Sequence, residues 1–410
     1  MARAWARGVV KALVVLGAAD GALSTYRIAA EMGYRTIAVD RSAAAPGVAV
    51  ADEYLPLSTR DADGILRALA SRGDLAGVIA PCSDIALPTL LQLTRALGLP
   101  VHLSETAVRA SVDKTVLRGM LDRLGVSSYR WIEGHDPREI ASRARGLRFP
   151  LVVKPADAQG GRGVTRCESP EQVPAAAQAA KERAYGGGIM VEEEIRGTHC
   201  GCECIIEGGR VVFMAMTRRT LSPPPLTLTT AHAMPTGLPP KVERACRRLV
   251  NRVCGLLGYR RGPLNLDLVI TPGGEPYLIE LGVRTGGNGI DDLTRICHGV
   301  DPVRAAVRAA VGEPFELRPH EPRPVMWQVL AAEQAGRLVS VSGVERARAL
   351  PGVAELVILA RPGQQARPYG EVSDKLGWVV LRGDSVAALD AASEAVARTL
   401  RFTVASHVLH

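Results

Sequence analysis

The run Lys11–Asp40, KALVVLGAADGALSTYRIAAEMGYRTIAVD, confines the start of the chain to one kind of unit. An apolar strand pattern, a glycine turn, an amphipathic helix, a second glycine and a second strand pattern follow in the order of a βαβ crossover. Residues 77–101, GVIAPCSDIALPTLLQLTRALGLPV, supply strand, loop and helix again. Residues 1–108 are therefore expected to form a small doubly wound α/β domain with a parallel sheet. The first 22 residues also carry signal-peptide features: early arginines, a short apolar stretch and small residues after it. Cleavage there would delete the first strand of the βαβ unit, so the strand reading is preferred.

A second, more β-rich region is expected over 109–320. SVDKTVLRGMLDRLGV at 111–126 has helical spacing, and SSYRWIE, FPLVVKP, GVTRCES and GIMVEEEI read as strands of a lobe covering about 128–195. CGCECIIEGGRVVFMAM continues as strand, and KVERACRRLVNRVCGLLG at 241–258 is helical. The stretch 221–240, LSPPPLTLTTAHAMPTGLPP, is too rich in proline for a regular element and is expected to be an irregular connection. Residues 321–410 alternate short strands and helices and are expected to form a separate α+β subdomain.

With 410 residues, 47% hydrophobic and 22% charged, the chain can build two or three ordinary cores. Its net charge of +8 is dispersed in arginine pairs such as Arg218-Arg219, Arg247-Arg248 and Arg260-Arg261, and only 4% of residues are aromatic. Nucleic-acid binders concentrate basic residues on one face, often among aromatics, so no nucleic-acid partner is expected. No later apolar run reaches a membrane span, so no membrane partner is expected either. The eight cysteines form no C-x-x-C pair, and reduced thiols in a cytoplasmic protein fit them best. HCGCEC at 199–204 places alternate cysteines on one strand face with no fourth ligand in view, which favours buried small side chains over zinc.

Two places carry chemistry. In VVKPADAQGGRGV, residues 152–164, Lys154 ends a strand and precedes Gly160, Gly161 and Gly163. A P-loop has the opposite order, with Lys after the glycines. A lysine beside a loop of unobstructed amides still suits a polyphosphate. In GPLNLDLVITPGGEPYLIELGVR, Asp267 and Glu280 lie thirteen residues apart on two strands joined by a Pro-Gly-Gly turn. Two carboxylates on neighbouring strands can share one face and hold a hard cation together with phosphate oxygens. Lys114, in VDKT, adds a second cation.

These motifs, in this order, resemble the ATP-grasp superfamily, and within it the L-amino acid ligases that join amino acids into dipeptides. The resemblance covers nearly the whole chain: the βαβ domain, DK before a helix, VVKP with its glycine flap, VEEEIRG, the Asp and Glu hairpin, and IELGVRTGG. It implies ATP and Mg²⁺ or Mn²⁺ as cofactors, with Lys114 and Lys154 on the phosphates and Gly160, Gly161 and Gly163 closing as a flap. It implies Glu192 and the backbone near Ile195 at the adenine, with His199 where a ribose-binding acid is expected. Asp267 and Glu280 would carry the metal, Arg284 would face the reacting carbonyl, and His232 would touch substrate or act as a base.

The implied reaction phosphorylates a carboxylate and lets an amine attack the acyl phosphate, giving an amide or dipeptide in specialised metabolism. The partners implied are a small carboxylate and an amine, with a symmetric homodimer as the default assembly. Three positions depart from the family pattern: His199, Gly282 where many members have Asn, and Thr229 where an acid often precedes His232 by three residues. Two other readings stay open at this point: an ATP-grasp carboxylase or cyclo-ligase on another carboxylate, and a degenerate nucleotide-binding protein.

Overall fold

The computed structural model of the chain describes residues 10–126, 129–158, 160–223, 228–371 and 374–405. Residues 1–9 of the leader-like stretch, Ser127 and Ser128 of SSYRWIE, Gln159 of the glycine loop and 224–227 of the proline-rich stretch lie outside the described residues.

The N-terminal sheet holds β1 (Ala12–Leu16), β2 (Arg35–Val39), β3 (Glu53–Leu55) and β4 (Leu75–Ile79), all parallel, in the order β3-β2-β1-β4. All five residues of β1 are buried, as a parallel strand covered on both faces requires. The crossovers carry α1 (Leu23–Glu31) and α2 (Ala62–Leu69), and α3 (Leu87–Ala96) follows β4. Two further helices, α4 (Glu105–Val112) and α5 (Lys114–Arg123), lead out of this region. Asp113 caps α5 by accepting from Thr115 N–H at 2.8 Å. The cap fixes Lys114 as the first residue of that helix.

The flap sheet consists of β5 (Trp131–Gly134), β6 (Leu151–Pro155), β7 (Thr165–Cys167) and β8 (Ile189–Glu193), ordered β5-β8-β6-β7 and backed by α6 (Pro137–Ala144) and α7 (Val173–Arg183). The core of this lobe is closed by Ile140, Leu151, Val153, Val173, Ala177 and Val191.

The large sheet begins with β9 (Thr198–Glu207), β10 (Arg210–Leu221) and β11 (Thr229–Met234), continues after α8 (Pro240–Leu257) with the hairpin β12 (Gly262–Ile270) and β13 (Pro276–Gly282), and is covered by α9 (Ile290–His298). The sequence led us to expect an irregular connection over 221–240, and β11 corrects this. Its six residues contain no proline, because the prolines cluster at 223–225 and at 235, 239 and 240, so the run between them can pair with β10. The next helix, α10 (Pro302–Val311), returns to the N-terminal sheet, where Val303, Ala306, Val307 and Ala310 pack with Leu13, Val15 and Ile79.

The remaining elements are β14 (Val325–Leu330), β15 (Gly336–Ser342), α11 (Val344–Arg348), β16 (Val353–Ile358), β17 (Gln365–Ala366), β18 (Gly377–Arg382), α12 (Val386–Thr399) and β19 (Arg401–Ala405). β14 pairs with β11, giving one eight-stranded sheet in the order β13-β12-β9-β10-β11-β14-β18-β16. Residue 321 lies in the link between α10 and β14, the strand that continues the large sheet, while β17-β15-β19 form a small sheet of their own. Among the described residues no helix is long and apolar enough to cross a membrane.

Candidate active site

The hairpin strands put Asp267 directly opposite Glu280, and the register slips between Asp267 and Leu268. Such a bulge re-aims side chains next to it. Each carboxylate already has a cation against it: Arg219 Nη1 lies 2.5 Å from Asp267 Oδ2, and Lys114 Nζ lies 3.6 Å from Glu280 Oε1. Lys114 also donates to the carbonyl of Ala158 at 2.6 Å. One ammonium therefore joins the start of the glycine flap to one of the paired carboxylates. Among the described residues no group of three or more His, Cys, Asp or Glu side chains is arranged to hold a metal ion. The pair fits Mg²⁺ of the kind completed by phosphate oxygens and water.

Lys154 is 4% exposed and donates to Glu192 Oε1 at 2.5 Å. Glu192 Oε2 lies 3.5 Å from Arg118 Nη2, and the Arg118 guanidinium sits 4.2 Å from the centroid of Tyr129. Burial pushes the Lys154 ammonium below its usual range, against the pull of Glu192. Arg118 was not singled out in the sequence, although it is four residues after Lys114 and so on the same helix face. Removing one member of a buried ion pair leaves the other charge uncompensated, typically at about 3–5 kcal/mol. Lys154→Met should accordingly lower unfolding stability by about 3 kcal/mol, the low end because Arg118 remains; urea denaturation reads the change, and an unaltered midpoint would contradict it.

Gly160, Gly161 and Gly163 all have φ near +70° (+69°, +71° and +72°), a region that side chains with a Cβ rarely adopt. At Gly161 a Cβ would also come within 2.4 Å of Leu228 Cδ2, so the flap rests on the segment before β11. Ile195 is half-buried in the link from β8 to β9, and His199 stands on β9 opposite Val269. Burial and the nearby Arg219 lower the His199 pKa.

Across the same face, Arg219 lies opposite His232, and His232 lies opposite Trp327. Arg219 Nε donates to Thr229 Oγ1 at 2.7 Å, so the hydroxyl that stands in place of an acid is held by the cation that also reaches Asp267. His232 is 5% exposed, with Nδ1 3.1 Å from Thr217 Oγ1. Burial, with Arg219 adding to it, pushes its pKa down to about 3. The imidazole is therefore neutral at physiological pH.

Arg284 donates to Asp84 Oδ2 at 2.5 Å, to the Thr285 carbonyl at 3.1 Å and to Asn265 Oδ1 at 3.4 Å. Asn265 in turn donates to Glu203, which also accepts from Gly286 N–H, both at 3.0 Å. Glu203 is fully buried, and burial pushes its pKa from 4.5 up to about 7 against the Asn265 and Gly286 hydrogen bonds. The unfolded chain ionises near 4.5 whereas the folded carboxyl keeps its proton to about 7, so its contribution to stability falls as pH rises through that window. Glu203→Gln should flatten this slope by about 3 kcal/mol between the two ends; denaturation at pH 4.5 and 7.5 checks it, and an unchanged slope would rule it out.

Sequence reasoning did not single out Asp84, Arg118, Glu203, Arg219 or Trp327. The cysteines of HCGCEC, at 200, 202 and 204, face away from this site into the core with Cys246 and Cys254 of α8.

A flap sheet over a large antiparallel sheet, with lysines and paired carboxylates at their junction, defines the ATP-grasp class of fold. Residues 147–292 match the model of the ATP-grasp domain, and residues 328–405 match that of the L-amino acid ligase C-terminal domain 2. The chain carries an ATP-grasp domain over residues 147–292 and resembles the L-amino acid ligases. The solved L-amino acid ligase from Bacillus licheniformis superposes with a TM-score of 0.82 at 20% identity, covering 97% of this chain and 99% of that one. A formate-dependent phosphoribosylglycinamide formyltransferase of Synechococcus sp. (strain RCC307) is 26% identical over 94% of this chain and 96% of its own length. Carnosine synthase 1 of Gallus gallus is 27% identical over 77% of this chain, but over only 36% of its own length.

Proposed function

We propose that the protein is an ATP-dependent carboxylate–amine ligase that forms an amide or dipeptide bond through an acyl phosphate. The observation that carries this reading is Lys114, which touches both the flap at Ala158 and the carboxylate of Glu280. That link brings a phosphate-binding loop and a cation-binding pair to one point. Its kinship with an L-amino acid ligase and a carnosine synthase favours amine acceptors over bicarbonate or ring closure.

Lys114 and Lys154 hold the phosphates, with Glu192 and Arg118 orienting Lys154, and the segment around Ile195 and His199 faces the nucleoside. Asp267 and Glu280 would hold Mg²⁺, which when bound would offset phosphate charge. The γ-phosphoryl group passes from ATP to the substrate carboxylate, so the protein's task is positioning and charge neutralisation. Arg284 then donates to the carbonyl oxygen as the amine adds and phosphate leaves. His232, neutral and held by Thr217, lines the substrate side. The substrates are a small carboxylate and an amine, and Thr229 with Arg219 offers them a cationic contact where an acid is expected.

The test is phosphate release from MgATP, and from MnATP, across carboxylates and amines alone and in pairs, with mass spectrometry of each positive well. Release that needs a pair, with a product of the two masses less water, supports the ligase. Release that needs bicarbonate identifies a carboxylase, and ATP binding without turnover across the matrix leaves an acid or amine outside the matrix or a nucleotide-binding protein.

A further inference from the structure

Arg284 is held from outside its own sheet. Its partner Asp84 lies 200 residues earlier, in the 3₁₀ turn after β4 of the N-terminal sheet. Asp84 is fully buried, Oδ2 accepts from Arg284, and Oδ1 has no hydrogen-bond partner. Such an arrangement is poor value for stability, since an apolar pair of similar volume would do as well or better. The backbone is cut away to admit it: a Cβ at Gly282 would stand 2.4 Å from Asp84 Oδ1 and 2.8 Å from Arg284 Cζ. Any side chain at 282 would displace the carboxylate, the guanidinium or both. The absence of Asn at 282 is thus the counterpart of a carboxylate arriving from another sheet.

We propose that Asp84 is the positioning residue of Arg284, and that Gly282 is the space this clamp requires. Resting on the ligase reading above, this makes the loop after β4 part of the acyl-transfer site. Asp84 fixes the direction of the guanidinium from one side while the Thr285 carbonyl and Asn265 hold its other amino group. Displacements of about 1 Å at such a group can cost about 10²-fold in rate.

The experiment uses the full chain with Asp84→Ala, the isosteric Asp84→Asn, Gly282→Ala, and Asp84→Ala combined with Gly282→Ala, each checked by thermal melting. Two readouts are taken: steady-state kinetics with a substrate pair from the matrix, and the rate of phenylglyoxal modification at Arg284, followed by peptide mass spectrometry. Asp84→Ala should lower kcat by about 10²-fold with KM for ATP unchanged, and Asp84→Asn should retain part of the loss-free rate. Gly282→Ala should cost a similar factor alone and add less than that factor once Asp84 is Ala, because the nearer of its two clashing partners is gone and the direction of Arg284 is already lost. Phenylglyoxal should modify Arg284 faster in Asp84→Ala than in the wild type. Wild-type kcat in a folded Asp84→Ala protein overturns the positioning role, additive effects overturn the part given to Gly282, and an unchanged modification rate overturns the clamp itself. The modification readout needs no substrate; if Arg284→Ala leaves turnover intact, the role of Arg284 falls while the clamp is still decided.

Discussion

Glu280→Gln should keep the fold and lose Mg²⁺-dependent turnover by at least about 100-fold, a floor set by the 10–100-fold that even outer partners of a metal cost. Glu280 is 30% exposed at its side chain and leans on Lys114 at 3.6 Å. The pair is long and open on the Glu280 side, and the buried Lys114 keeps its bond to the Ala158 carbonyl, so the melting temperature should move little. What is lost is one of two anionic oxygens facing each other across the β12–β13 bulge, and a hard cation held by two carboxylates cannot spare one. Mn²⁺ binding followed by electron paramagnetic resonance in the presence of ATP checks this without turnover. Wild-type affinity and rate in the variant would remove Glu280 from the metal site.

Arg284→Ala should lower product formation by about 10²–10³-fold, the usual cost of one oxyanion donor, while nucleotide affinity is kept. The variant also strips Asp84 of its cation, and a fully buried carboxyl then takes up a proton in place of a charge. Arg284→Lys separates the two effects, because it restores the charge but not the fork that reaches Asp84, Thr285 and Asn265 together. Recovery of stability without recovery of rate is expected from Lys. Weakened ATP affinity with unchanged turnover would place Arg284 on the nucleotide side.

Much of the site could be read from the chain because its signals are local. Lys154 and the flap glycines sit within ten residues, Asp267 and Glu280 share a hairpin, and Asp113 caps the helix that Lys114 opens. Arg118 could have been found from helical spacing to Lys114. The proline-rich stretch was misjudged because prolines on both sides masked the proline-free run that pairs with β10 and β14.

The sequence by itself determined the class of fold, the placement of Lys154 beside the glycine loop and of Asp267 beside Glu280, and Lys114 at the start of its helix, since each depends on side chains a turn or a strand apart. Only the tertiary structure decided how these charges are compensated. Asp84 meets Arg284 across 200 residues, Glu192 is shared by Lys154 and Arg118, Glu203 is sealed beneath Gly286, and residues after 321 extend the central sheet. The physical reason is that a buried charge must find its partner wherever the packed chain supplies one. That choice is made by the meeting of sheets, and leaves no spacing in the sequence to read.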